Sequence, residues 1–172
     1  MVFRALFGNF RSAFQGGSFT QSYRPSSNNT NEATMQGIRV LIADDHQEFR
    51  RVVHRFLESY PNISVVGEAI DGVDVVSKTE ELNPDVVLMD IAMPLRNGLD
   101  ATRIIKQRWP SKIVVIVTMH DDEAYRLRAQ EAHADGFILK STLKPSLEAT
   151  FGEGSRLLAT VSALNGARSR NC

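Results

Sequence analysis

The sequence predicts an α/β fold, a doubly wound three-layer sandwich with a five-stranded parallel sheet between helices. Three observations carry this. Five short apolar runs recur across residues 37–150, they alternate with helix-patterned segments, and the runs are apolar on both faces instead of alternating with polar residues. Strands of that kind are covered by helices on both sides and joined by right-handed crossovers.

The first strand is Ile38 to Ala43, ending in Asp44-Asp45. A helix follows over about His46 to Tyr60, where Phe49, Val52, Val53, Phe56, Leu57 and Tyr60 form one apolar face. Asp44 or Asp45 is expected to help cap it, and Pro61-Asn62 stops it. Ile63 to Ala69 is the second strand, and a second helix runs from near Asp71 to before Pro84. Val86 to Met89 is the third strand, closing on Asp90. After a loop from Pro94 to Gly98, the third helix spans Leu99 to Trp109, with Leu99, Ile105 and Trp109 as its buried anchors. The fourth strand, Ile113 to Val117, closes on Thr118. The fourth helix covers Asp121 to Ala134, with Asp121 or Asp122 near its N-cap. Gly136 to Leu139 is the fifth strand, closing on Lys140. Gly98 and Gly136 read as backbone-permissive turn positions.

The flanks differ in texture. Residues 1–36 are rich in Ser, Asn, Gln, Thr and Gly and read as a mostly disordered extension, with Met35 as an alternative start. Phe3, Phe7, Phe10 and Phe14 make a helical stripe within it, and its Arg and Ser content is similar to that of an organellar presequence. Past residue 150, Gly152 and Gly154 interrupt a fifth helix that Pro145 to Ala149 starts. Arg156 to Leu164 reads as a further short helix, and residues 165–172 as a frayed tail. The expected division is therefore an extension over 1–36, a domain over 37–150 and an atypical end over 151–172, with no room for a further domain.

Composition narrows the function classes. The 172 residues have 42% hydrophobic and 23% charged side chains, ordinary for a globular domain. Cys172 is the single cysteine, which excludes an intrachain disulfide and a cysteine-built zinc cluster and fits a reducing, cytoplasmic compartment. The longest apolar run, Ile113 to Val117, is far too short to span a membrane. The overall charge of zero hides a split: residues 37–150 carry 14 Lys and Arg against 18 Asp and Glu, whereas each flank carries three Arg against one Glu. An acidic central domain argues against direct nucleic-acid binding.

In a parallel sheet all carboxyl ends of the strands lie on one edge, where such folds bind ligands. Asp44, Asp45, Asp90, Thr118 and Lys140 all stand at those ends. Clustered carboxylates repel one another unless a cation lies among them. Oxygen ligands without Cys or a suitable His pair point to Mg²⁺, or alternatively Mn²⁺. His46, His54, His120 and His133 show no metal-ligand spacing on one helix. His120, two residues past Thr118, is a candidate for tuning access to the pocket. A carboxylate in such a pocket can act as a nucleophile and form an aspartyl phosphate, with a cation and an ammonium group neutralising the transferring phosphoryl. Taken singly, Thr118 and Lys140 are as well explained by a capped strand end and a solvated surface lysine. Five such residues at the ends of apolar runs point to one site.

The segments 40–46, 87–94, Asn97-Gly98, 117–122 and 136–140 resemble the receiver domain of two-component response regulators, over about Ile38 to Leu147. Thr118-Met119-His120-Asp121-Asp122 and Leu139-Lys140-Ser141 are most similar to receivers of the NarL/FixJ type. The resemblance implies a flavodoxin-like (βα)5 fold with strand order 2-1-3-4-5. It implies Asp90 as phosphoacceptor, and Asp44, Asp45, Asp90 and the backbone carbonyl of Ala92 as the Mg²⁺ site. It further implies Thr118 as the switch hydroxyl, Lys140 as the acyl-phosphate partner and Phe137 as the aromatic switch position. A phenylalanine there has no hydroxyl, so its rotamer would be read through packing alone.

The implied partners are a histidine kinase or histidine-phosphotransfer protein as donor, and a downstream output protein. The implied activity is self-phosphotransfer and slow autodephosphorylation, not catalysis on a separate metabolite. The C-terminal segment departs from the family's fifth helix, part of the face through which such receivers pair. The expected function is a stand-alone receiver. Its alternatives are a NarL/FixJ-type regulator truncated before its helix-turn-helix domain, a phosphorelay shuttle, and a flavodoxin-like hydrolase or flavin binder.

Overall fold

The computed structural model describes residues 37–152 and Ser155. The phenylalanine stripe near the N-terminus and the short helix expected over Arg156 to Leu164 lie outside the described residues. Strands β1 (Ile38–Ala43), β2 (Ile63–Ala69), β3 (Val86–Met89), β4 (Ile113–Thr118) and β5 (Gly136–Leu139) alternate with helices α1 (Gln47–Leu57), α2 (Gly72–Leu82), α3 (Gly98–Arg108), α4 (Glu123–Glu131) and α5 (Leu143–Phe151). The sheet is wholly parallel, with order β2-β1-β3-β4-β5. This is the doubly wound sandwich that the sequence pattern predicts, in the flavodoxin-like strand order that the family resemblance implies.

The inner strands carry the strongest apolar runs for a physical reason. Every residue of β3 and β4 is buried, because helices cover both faces of the sheet. Leu41, Val87, Val114 and Ile116 face one core layer with Val75, Leu99 and Ile105. Val40, Ile42, Leu88 and Val115 face the other, with Val53, Leu57, Leu147 and Phe151. The edge strands β2 and β5 are mostly half-exposed.

Several local expectations change. Helix α1 ends at Leu57, before Tyr60, and Val52 is exposed, so its buried stripe is narrower than the apolar spacing suggests. Buried instead are Arg50, Val53 and Leu57. The N-cap of α1 is His46, whose side chain makes no capping bond; Asp44 Oδ1 accepts the His46 backbone N–H at 2.9 Å. Asp122 caps α4 by accepting from the Tyr125 N–H. That helix ends at Glu131, short of Ala134, with His133 beyond it in the left-handed region at φ 61°. Trp109 is half-buried at the end of α3, whereas Leu99 and Ile105 are buried. Helix α5 forms fully despite Pro145, which falls in its first turn where a missing N–H costs nothing. It ends at Phe151, one residue beyond the predicted boundary at 150, with Gly152 as its C-cap.

Gly98 has a role other than turn conformation. A Cβ there would lie 1.8 Å from the Asp90 carbonyl oxygen, so only a glycine lets the start of α3 approach the strand end that carries Asp90.

Candidate functional site

Sheet register assembles the site. Ala43 pairs with Met89, and Met89 with Ile116, so β1 and β3 end level with each other. The Asp90 N–H donates to the Ala43 carbonyl at 2.8 Å, which sets Asp90 beside Asp44. Thr118 pairs with Leu139, so Lys140 leaves the sheet just beyond Thr118. A 3₁₀ turn, Lys140–Thr142, then leads into α5.

Asp44 and Asp90 are buried, and the Lys140 ammonium lies between them. Its Nζ is 2.6 Å from Asp44 Oδ2 and 3.2 Å from Asp90 Oδ1, with the lysine side chain only 9% exposed. Burial pushes the Asp90 carboxyl above the usual carboxylate range; Lys140 offsets part of this, and the Asp44 charge adds to it. Thr118 is fully buried, and its Oγ1 accepts the His120 N–H at 3.2 Å. Phe137 is half-buried on β5, with the Arg126 guanidinium over its ring at 4.7 Å. Ala92 is exposed on the loop that follows Asp90. Asp45 is exposed and directed at its neighbour, with Oδ1 2.7 Å from His46 Nδ1.

The structure therefore joins Asp44, Asp90 and Lys140 in one ion-paired centre, and links Asp45 to it through Asp44 and His46. Asp44, Asp45 and His46 each offer a ligand atom, all within 4.8 Å of one another. The sequence reading passed over His46, since residues adjacent in the chain give no helical ligand spacing.

The residues fit a hard divalent cation. Asp44 Oδ2 is buried and forms no hydrogen bond, because its contact with Lys140 has ion-pair distance without hydrogen-bond geometry. Among the described residues the ammonium is its one charged contact, and carboxylate oxygens are the donors Mg²⁺ prefers.

Two groups at the site escaped the sequence reading. Arg50, on α1, is buried and donates from one terminal guanidinium nitrogen to the Asp44 carbonyl at 2.8 Å and from Nε to Glu68 Oε2 at 2.8 Å. Phe49, beside it, presents its ring to Lys140 Nζ at 4.4 Å. An arginine within the apolar face of a helix is the sequence signal for the first. The second is a long-range packing contact that local sequence does not encode.

Residues 40–151 match the response regulator receiver domain family. Transcriptional regulatory protein DegU of Brevibacillus brevis is 45% identical over 103 residues, covering 60% of this chain and 44% of that protein. Response regulator GacA of Pseudomonas viridiflava is 41% identical over 103 residues, covering 60% of this chain and 48% of that one. The chain thus spans about half the length of the curated relatives it matches. Among solved structures, the response regulator domain of Thermotoga maritima CheB is 33% identical with a TM-score of 0.57, covering 78% of this chain and 94% of that one. A two-component response regulator of the LuxR family from an Aurantimonas species is 32% identical with a TM-score of 0.62, covering 76% and 99%.

Proposed function

The chain belongs to the response regulator receiver family, and from that premise we propose that it accepts a phosphoryl group on Asp90 from the phosphohistidine of a histidine kinase or histidine-phosphotransfer protein. The observation that carries the reading is the Lys140 ammonium held between two buried carboxylates. Residues 37–151 are the working unit of this reading, since Phe151 packs in its core beside Val53 and Leu57. In this reading the chain acts as a stand-alone receiver in the cytoplasm, and its output is a partner protein's.

An ionised Asp90 oxygen attacks phosphorus, the P–N bond of the phosphohistidine breaks, and the imidazole leaves with the electron pair and takes up a proton. Burial makes Asp90 a stronger base than a solvated carboxylate, so its ionised form is a better nucleophile. Lys140 pairs with the new acyl phosphate, and Asp44 keeps the ammonium at that depth. The Thr118 hydroxyl exchanges its bond with the His120 N–H for one to a phosphoryl oxygen. Phe137 registers that exchange through packing against Arg126.

Asp44, Asp45, Asp90 and the Ala92 carbonyl are the residues that would hold Mg²⁺, with Mn²⁺ as a substitute. Bound there, the ion would supply neutralising charge for the transferring phosphoryl group. The phosphorylated form then shifts an equilibrium between two surfaces that a partner distinguishes. The chemistry is self-phosphotransfer and slow self-dephosphorylation.

Incubation with acetyl phosphate and Mg²⁺, followed by intact mass measurement, tests the reading. A single phosphate adduct is expected, lost in Asp90→Asn and in excess EDTA. A folded wild type that takes no adduct, or a variant that keeps it, overturns the assignment of Asp90.

The shared span with about half of each relative favours a second reading, the receiver part of a longer transcription regulator. A longer product detected in cells with an antibody to residues 37–150 would support it over the stand-alone form. Rapid reverse transfer to a histidine-phosphotransfer protein would identify a shuttle instead.

A further inference from the structure

We infer that Phe49 is a positioning residue for phosphoryl transfer, and that its aromatic face holds the Lys140 ammonium at the reacting carboxylate. The inference rests on the assignment of Asp90 as the phosphoacceptor.

Lys140 Nζ stands 4.4 Å from the Phe49 ring centroid, well inside the range where a cation is attracted by the ring quadrupole. Among the described residues, the other three such pairs all involve arginines: Arg108 with Trp109, Arg126 with Phe137, and Arg128 with Tyr125. The Lys140 pair is the shortest of the four, and it is the one at the ion-paired centre.

A lysine ammonium is a compact charge on a flexible stem, so its position is set by what surrounds it. Two carboxylates draw Lys140 unequally, at 2.6 Å to Asp44 and 3.2 Å to Asp90. Transfer turns one Asp90 oxygen into the bridging oxygen of an acyl phosphate and moves the negative charge outward onto the phosphoryl oxygens, so the anionic partner on that side shifts while Asp44 stays in place. The Phe49 ring supplies a third, uncharged attraction from α1 that does not change during the reaction. Phe49 is itself fixed, half-buried against the core layer that includes Val53 and Leu57. Its partner side chain is only 9% exposed, so the attraction is little weakened by water.

The test uses the wild-type chain with acetyl phosphate and Mg²⁺. In that reaction an Asp90 oxygen bonds to phosphorus, the P–O bond to acetate breaks, and acetate leaves with the electron pair. Phe49→Leu keeps an apolar side chain and removes the ring, and it is expected to slow adduct formation about three- to tenfold. Phe49→Tyr keeps the ring face and is expected to restore most of the rate.

A second readout needs no turnover. The Lys140 ε-methylene protons lie near the ring and should show an upfield ring-current shift by NMR in wild type and Phe49→Tyr, lost in Phe49→Leu. Should Phe49→Leu fail to fold by circular dichroism, Phe49→Met carries the same test. A wild-type rate in the ring-less variant overturns the inference. So does a Tyr variant as slow as Leu, or a slowed Leu variant with unshifted Lys140 signals, which would assign the ring a packing role alone. A wild type that takes no adduct overturns the Asp90 assignment beneath it, a result distinct from these.

Discussion

Two partly or fully buried carboxylates, Asp90 and Glu68, have opposite fates. Asp90 shares the Lys140 ammonium with Asp44, and burial, reinforced by the Asp44 charge, drives its carboxyl above the usual range despite Lys140. Glu68, on β2, is also pushed up by burial, yet hydrogen bonds from Arg50 and His54 outweigh this and hold it below the usual range. Arg50 Nε is 2.8 Å from Glu68 Oε2, and His54 Nδ1 is 3.0 Å from Glu68 Oε1. The difference is one of satisfaction. Each Glu68 oxygen has its own partner, whereas Asp90 and Asp44 share one ammonium. A fully paired cluster stabilises a fold, while an underpaired one retains capacity for a ligand or a reaction. The two meet at one atom, since Arg50 also donates to the Asp44 carbonyl. The satisfied cluster thus fixes the backbone on which the unsatisfied one is built.

The largest expected effect comes from breaking the satisfied cluster. Arg50→Met leaves Glu68 with His54 alone and frees the Asp44 carbonyl, and should lower stability by about 2–3 kcal/mol. That is below the full cost of stranding a buried charge, because the Glu68 side chain is 32% exposed. Urea denaturation at neutral pH measures it. Adding Glu68→Met should recover much of the loss. If the single variant is as stable as wild type, the cluster is ornamental and the contrast with Asp90 fails.

The next effect has the opposite sign. The native state binds a proton at Asp90 more tightly than the unfolded chain does, so its stability contribution is whole below the unfolded carboxylate range and lost as pH rises through the folded pKa. Asp90→Asn should therefore stabilise the protein at neutral pH, by less than Arg50→Met destabilises it, with the gain fading as pH falls through the carboxylate range. Glu68 runs the other way: its contribution is present above the unfolded pKa and lost as pH falls through its lowered folded pKa. Denaturation profiles from neutral to acid pH, in EDTA so that no cation compensates Asp90, separate the two. A destabilised Asp90→Asn at neutral pH would show that Lys140 satisfies Asp90 after all.

This contrast also marks what the sequence makes legible. Asp44, Asp90, Thr118 and Lys140 are readable because a parallel sheet brings its strand ends to one edge, whatever the side chains do there. Their depth and pairing are not readable, since those depend on register and on helices packed from outside. The α1 pattern shows the limit. Six apolar residues suggest one broad face, yet Val52 is exposed and Arg50 is buried. The reason lies on β2, 18 residues away, where Glu68 supplies the partner that lets an arginine enter the core face. Gly98 is similar: a loop glycine looks like a turn, but a Cβ meeting the Asp90 carbonyl is what demands it.

The smallest effect tests which partner of Glu68 matters. His54 bonds Glu68 Oε1 at 3.0 Å and stands 3.6 Å from Glu58, with its side chain 37% exposed. An exposed pair of this kind contributes up to about 1 kcal/mol and is screened by salt. His54→Gln keeps a hydrogen-bonding side chain and removes the chargeable ring, so it should cost less than about 1 kcal/mol. The cost should shrink further at high ionic strength and leave adduct formation at Asp90 unchanged. Arg50, by contrast, is deep enough that salt should hardly alter its contribution. A His54 variant as damaging as Arg50→Met would mean that Glu68 depends on both donors together, as a coupled triad, and a double-mutant cycle between Arg50 and His54 would then show a large interaction energy.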